Sequence, residues 1–193
     1  GMLPEGARSE ILDDVSAQLG EFSALVGDLV ALTRDDHLQR QPEKLDLSEV
    51  VEAALARAAR RGPNITFHTT LEPVPILGDA PTLERAITNL LDNAVKFSPS
   101  DGEIWVELTS AGVLTIVDSG PGVADEDLPH IFDRFYRSDR ARNTPGTGLG
   151  LAIVTHTVEA HGGSVRAGNQ PGAGAKFTMR LPVLAAPESP LSP

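Results

Sequence analysis

Apolar residues in this chain fall into two helical rhythms and one strand rhythm. Over residues 8–34, Leu12, Val15, Leu19, Phe22, Val26 and Leu29 recur at alternating steps of three and four. That spacing is a heptad seam, the mark of a helix in a coiled coil or bundle. Leu25, Val30 and Leu32 widen the stripe and favour a bundle over a two-stranded coil. One helix cannot bury such a stripe on itself, and no second heptad segment is evident. A second molecule is therefore the expected cover, with packing on the following domain as the alternative.

Residues 35–46 are polar and predict a linker. Asp46-Leu47-Ser48-Glu49 opens a helix to about Arg60, stopped by Gly62-Pro63. Alternation over residues 64–70 and a short apolar run at 74–77 predict two strands. Ile87, Leu90, Leu91, Ala94 and Val95 then recur at helical steps, with Pro81 tolerated in the first turn of that helix. Residues 103–109 and 113–117 alternate and form a hairpin through Ala111-Gly112. A sharp loop, Asp118 to Val123, leads to a short helical region at 125–135 and a basic stretch at 136–145. A further helix opens at Gly146 and runs through Ala160, closed by Gly162-Gly163. Strands at 164–167 and 175–181 follow, and the Pro- and Ser-rich residues 185–193 predict a disordered tail.

The expected fold class is α+β: a two-layer sandwich of a mixed, mostly antiparallel sheet of about five strands with three helices on one face. The expected organisation is a helix at 1–36, a linker at 37–46, one domain at 47–184 and the tail. Composition adds limits. The formal net charge of -11 argues against a nucleic-acid partner. The absence of cysteine excludes disulfides and thiolate metal sites. No apolar run approaches the ~20 residues that cross a bilayer, and no signal-peptide pattern opens the chain. Gly1-Met2 reads as an added leader before an internal start. The chain as given is expected to be soluble and cytoplasmic.

Three groups of residues carry candidate chemistry. Asn89, Asn93 and Lys96 share one side of the central helix. Two carboxamides and an ammonium there can hold a metal ion and phosphate oxygens, or simply form a solvated face. Asp118 ends a strand before Gly120 and Gly122. It can accept a hydrogen bond from an exocyclic amine while the glycines let backbone pass close to a flat ring, although Asp-Ser-Gly also makes a plain turn. Gly146-Thr147-Gly148-Leu149-Gly150 at a helix start can cradle phosphate through backbone amides and the positive helix end. It is not a Walker A loop, because Leu151 follows Gly150, nor a dinucleotide fingerprint, because a polar loop precedes it. Arg134, Arg137, Arg140 and Arg142 invert the local charge, which suits a segment closing over phosphates or a solvated loop. The five histidines show no metal-ligand spacing.

An Asn-bearing helix, then Asp-x-Gly-x-Gly, then Phe-x-Arg-Phe-Tyr, then Gly-Thr-Gly-Leu-Gly-Leu, in this order, resembles the ATP-binding domain of bacterial sensor histidine kinases of two-component systems. The resemblance covers residues 47 to about 182 and implies the Bergerat, or GHKL-type, ATP-binding fold. It implies ATP and Mg²⁺ as cofactors, with Asn93 on the metal and Asn89 assisting it. Asn89 and Lys96 become the catalytic candidates, Lys96 through the phosphates. Asp118 would hydrogen-bond the adenine amino group, Gly120 and Gly122 would shape that pocket, and Phe97 would line it. Residues 136–146 would form a mobile lid anchored by Phe132 and Phe135, with Arg137 and Arg140 toward the nucleotide. Gly146, Thr147, Gly148, Leu149 and Gly150 would surround the phosphates. The heptad helix resembles the second helix of the family's dimerisation hairpin, so the implied partners are a second copy of the chain and a response regulator. The implied parent is an integral plasma-membrane sensor.

Two departures stand out. Ala175 occupies a place where the family commonly has threonine. No histidine is followed by glutamate, so the family's phosphoacceptor motif is absent and the acceptor is expected on a helix missing from this sequence. The expected activity is an ATP-dependent protein-histidine kinase lacking its own acceptor. Rivals are a GHKL-type ATPase, which needs a general-base glutamate where Asn89 stands, an anti-sigma-type serine kinase, and a non-catalytic nucleotide-binding or interaction module.

Overall fold

The computed structural model describes residues 41–141, 144 and 146–184. The predicted heptad helix, Arg142 and the predicted tail lie outside the described residues.

Strand β1 (Glu43–Asp46) leads directly into helix α1 (Leu47–Arg61). Asp46 caps this helix: its Oδ1 accepts from the backbone N–H of Ser48 at 2.9 Å. Leu47, Val50, Val51, Ala54 and Ala58 form the buried face, and the Gly62 N–H closes the end on the Ala58 carbonyl. Strands β2 (Thr66–Leu71) and β3 (Pro75–Gly78) precede helix α2 (Ala80–Phe97). Helix α2 buries Leu83, Ala86, Ile87, Leu90, Leu91 and Ala94 and packs against α1 on one side. On the other side it meets helix α3 (Gly150–Ala160). Between these helices run strands β4 (Glu103–Thr109) and β5 (Val113–Asp118); strands β6 (Ser164–Asn169) and β7 (Ala175–Arg180) complete the chain order.

The main sheet has five strands in the order β2-β4-β5-β7-β6. Only the β2–β4 pair is parallel, so the sheet is mixed, as expected. Along β4, Ile104, Val106 and Leu108 are buried while Glu103, Trp105 and Glu107 are exposed. Period-two alternation thus turns one sheet face to the three helices and leaves the other to solvent. The result is the predicted α+β two-layer sandwich.

Three local expectations change. Residues 43–46, expected as linker, pair antiparallel with β3, Glu43 opposite Gly78, in a separate two-stranded sheet. Backbone pairing carries this strand, since Glu43 and Lys44 are exposed. Residues 125–135 form successive turns, with Leu128 N–H on the Ala124 carbonyl and Ile131 N–H on the Asp127 carbonyl. Pro129 interrupts them, because it lacks an N–H and its ring crowds the preceding turn. The last helix starts at Gly150, four residues later than expected, and leaves Gly146 to Leu149 as loop.

Candidate functional site

Asp118 ends β5 and is only 3% exposed. Its Oδ1 accepts from the Gly120 N–H at 2.8 Å and the Ala175 N–H at 3.0 Å. Burial pushes the carboxyl pKa up, and the two amide bonds offset part of that, leaving it raised. The Gly174 N–H donates to the Asp118 carbonyl at 2.7 Å. A Cβ on Gly174 would stand 2.0 Å from Asp118 Oδ1, so only glycine fits. Ala175 therefore serves this carboxylate through its backbone.

Asn89, Asp92, Asn93 and Lys96 follow one another on α2 at steps of three, one and three and line a common cavity. The Asn89 Nδ2 donates to the Gly150 carbonyl at 3.2 Å, which ties α2 to the start of α3 and leaves Oδ1 as the amide's acceptor end. Lys96 Nζ lies 5.0 Å from the centre of the Phe97 ring. Burial, and then the nearby Arg137 guanidinium, lower the Lys96 pKa. Two cations held together in partial burial favour an anion between them. Asp92 pairs through Oδ2 with Arg61, and its buried Oδ1 has no hydrogen-bond partner among the described residues.

The basic loop is organised by its own arginine. Arg137 donates to the carbonyls of Ala141 and Thr144, curling a 3₁₀ turn at Asp139–Ala141. Tyr136 Oη donates to Asp127 Oδ1 at 2.6 Å, and this bond pushes the phenol pKa up to about 12. The Phe135 N–H donates to the Gly148 carbonyl at 3.0 Å, with Phe135 at a φ of 64°. Gly148, at a φ of 75°, lies so close to this backbone that a Cβ would come within 2.8 Å of the Phe135 carbonyl carbon. The two loop ends are thereby joined. The Leu149 N–H closes on Thr147 Oγ1 at 3.2 Å.

These pieces surround one cavity of about 370 Å³, within the range of small-molecule sites. Asn89, Asn93, Lys96, Phe97, Asp118, Gly122, Arg137, Arg140, Gly146, Thr147, Gly148 and Gly150 all line it. Gly120 and Leu149 do not. Gly120 holds Asp118 from behind, and Leu149 is fully buried against Ile153. Phe132 packs on the core, whereas Phe135 is 59% exposed. Sequence reasoning missed Asp92, Asp127, Tyr136 and Phe177 as lining residues. The helical stripe through Asn89 and Asn93 could have indicated Asp92; nothing in the sequence ties Asp127 to Tyr136.

A shallow sandwich with a carboxylate at a strand end, an amide-bearing helix and a glycine loop defines an ATPase-type nucleotide domain. The chain belongs to the histidine kinase-, DNA gyrase B- and HSP90-like ATPase family, whose model matches residues 78–185. Within it, the chain is similar to the signal transduction histidine-protein kinase/phosphatase MprB of Mycobacterium avium (strain 104). The two are 45% identical over 189 residues, 93% of this chain and 36% of that protein. The protein of the same name from Mycolicibacterium smegmatis is 44% identical over 181 residues, 89% of this chain and 37% of that protein. The solved structure of a mycobacterial sensor histidine kinase MprB aligns with a TM-score of 0.69 and 40% identity, over 73% of this chain and 98% of that one. The ATP-binding domain of PrrB from Mycobacterium tuberculosis aligns with a TM-score of 0.60 and 27% identity, over 76% and 100%. The match is to the ATP-binding catalytic region of sensor histidine kinases, as the motifs imply, and the chain spans little more than a third of the curated relatives' length. Among the described residues no helix is long and apolar enough to cross a membrane.

Proposed function

We propose that this chain binds Mg²⁺-ATP in the cavity and donates the γ-phosphoryl group to a histidine on a separate helix. A response-regulator aspartate is the next acceptor. The observation that carries this is the lining of one cavity by a buried carboxylate, two carboxamides and three cations. Asp118 accepts the adenine amino group on the oxygen its backbone donors leave over. The amides of the Gly146 to Gly150 stretch and the side chains of Lys96, Arg137 and Arg140 receive the phosphates. Asn93, assisted by Asn89, offers amide oxygens, a donor type suited to Mg²⁺. Among the described residues no group of three or more acidic or histidine side chains is placed to hold a metal ion, and Asn93 and Asn89 are the side chains that would hold it. Bound there, Mg²⁺ neutralises charge that develops on the transferred group.

Asn89 also argues against simple hydrolysis, because a carboxamide is far too weak a base to take a proton from water. In the transfer the acceptor imidazole nitrogen bonds to phosphorus as the bond to the β-phosphate oxygen breaks and ADP leaves. The heptad stripe supports pairing with a second copy. The relatives' greater length supports a longer signalling protein around this domain.

The test is labelled ATP with this chain alone and with an added protein carrying a His-Glu helix. We expect acid-labile label on the added helix and none on the chain. Stable label on His37 of the chain alone would overturn the proposed division of labour.

A further inference from the structure

The loop between Asp118 and Val123 is held at both ends by the same β6–β7 hairpin. At its start, Gly174 and Ala175 donate to the Asp118 carbonyl and Oδ1 at 2.7 and 3.0 Å. At its end, the side chain of Asn169 grips one backbone unit. The Val123 N–H donates to Asn169 Oδ1 at 2.8 Å, and Asn169 Nδ2 donates back to the Val123 carbonyl at 2.8 Å. Asn169 stands directly opposite Ala175 in the β6–β7 register, so the two ends are set by one cross-strand pair.

We infer that Asn169 is a positioning residue for the base end of the nucleotide cavity, acting through Val123. The inference deepens the ATP-binding proposal and rests on it. Pro121, Gly122 and Val123 line the cavity; Asn169 does not. Gly122, at a φ of 73°, lies against the amide, since a Cβ there would come within 2.7 Å of Asn169 Oδ1. A carboxamide supplies a donor and an acceptor in one fork, which matches a backbone N–H and C=O taken together. Alanine supplies neither, and a carboxylate sets oxygen against oxygen. Asn169 is itself exposed, so water can satisfy Val123 if the clamp is lost. The clamp therefore fixes where the loop sits more than whether the domain folds.

The experiment titrates ATP, GTP and inorganic tripolyphosphate, each with Mg²⁺, into the full chain, Asn169→Ala and Asn169→Asp. Asn169→Ala should bind ATP about ten-fold more weakly, with a lower ATP-to-GTP preference. Its tripolyphosphate affinity and thermal midpoint should be unchanged. Asn169→Asp should be equally impaired at neutral pH. Its affinity relative to the parent should recover toward about pH 4–5, as the introduced carboxyl gains a donor proton. Unchanged ATP affinity in Asn169→Ala overturns the inference. So does a parallel loss of ATP, tripolyphosphate and thermal stability, which marks a merely structural role. A parent that binds no ATP overturns the nucleotide proposal as well, which separates the two failures.

Discussion

The imidazole of His161 joins the end of α3 to the start of α2: its Nε2 accepts the Asp79 N–H at 3.1 Å, and its Nδ1 contacts the Thr157 carbonyl at 2.7 Å. Both bonds require the neutral ring protonated on Nδ1. Asp79 is the N-cap of α2 and its side chain makes no capping bond, so the ring fixes the entry to the helix that bears Asn89, Asn93 and Lys96. His161→Ala should destabilise the domain by about 1–3 kcal/mol, through one orphaned N–H and a lost side chain. Urea unfolding measures this. A midpoint equal to that of the parent would show the contact to be dispensable. Gly78→Ala should also be destabilising, because its Cβ would come within 3.0 Å of the same ring and 2.9 Å of Leu83.

Asp118→Asn keeps an oxygen for the Gly120 and Ala175 amides but replaces the other acceptor with a donor. ATP affinity should fall ten-fold or more, about 1.5–3 kcal/mol, as for a lost charge-assisted hydrogen bond. The pH dependence of the parent has a definite sign. Burial holds the Asp118 pKa above its ordinary 3.8, so affinity should drop on acidification before an exposed aspartate would titrate. Calorimetry over a pH series checks both statements. An acid limb that persists in Asp118→Asn assigns it to another group.

Much of this site was legible because its residues obey helical and strand periodicity. Asn89, Asn93 and Lys96 face one way because a helix repeats every 3.6 residues, and Asp118 lies where an alternating strand stops. The missing parts depend on tertiary partners. The polar Glu43-Lys44-Leu45-Asp46 becomes a strand only because β3 offers a backbone to pair with. Asn169, before Gln170-Pro171-Gly172, has the composition of a turn, and its grip on Val123 spans 46 residues of sequence. The basic loop suggested phosphate contacts, but part of the Arg137 hydrogen bonding goes to the carbonyls of its own loop.

Asp46 links β1, α1 and the segment before β3 through one oxygen. Its Oδ1 accepts from the Ser48 N–H and the Val74 N–H, both at 2.9 Å, and from the Ser48 hydroxyl at 2.8 Å. Desolvation opposes its ionisation, but the bonds from Val74 and Ser48 prevail and lower its pKa. The folded-state pKa is thus below the unfolded one. The ionised cap contributes full stability above the unfolded pKa, and that contribution is lost as pH falls through the folded one. Asp46→Ala should cost about 1–2 kcal/mol near neutral pH, and the difference from the parent should shrink in acid. Chemical denaturation at several pH values tests this. A difference that grows in acid would contradict the sign.

Lys96 should make ATP binding depend on pH at the alkaline end. Its ammonium is lowered from its ordinary 10.5, first by burial and then by the Arg137 guanidinium. It also lies close to the glycine loop, since a Cβ on Gly146 would be 3.1 Å from Nζ. Phosphate oxygens bound there stabilise the ammonium and raise its pKa again. By linkage, ATP then binds the protonated form more tightly. Affinity should therefore decline as pH rises through the pKa of free Lys96, below the usual lysine range, and binding should take up protons across that window. Lys96→Met should weaken binding at neutral pH ten-fold or more and abolish the alkaline decline. Lys96→Arg should retain much of the affinity and also lose the decline, because a guanidinium does not deprotonate in this range. Calorimetry in two buffers of different ionisation enthalpy reads the proton uptake directly. Alkaline uptake that survives unchanged in Lys96→Met would show that Lys96 is not the group responding to the phosphates.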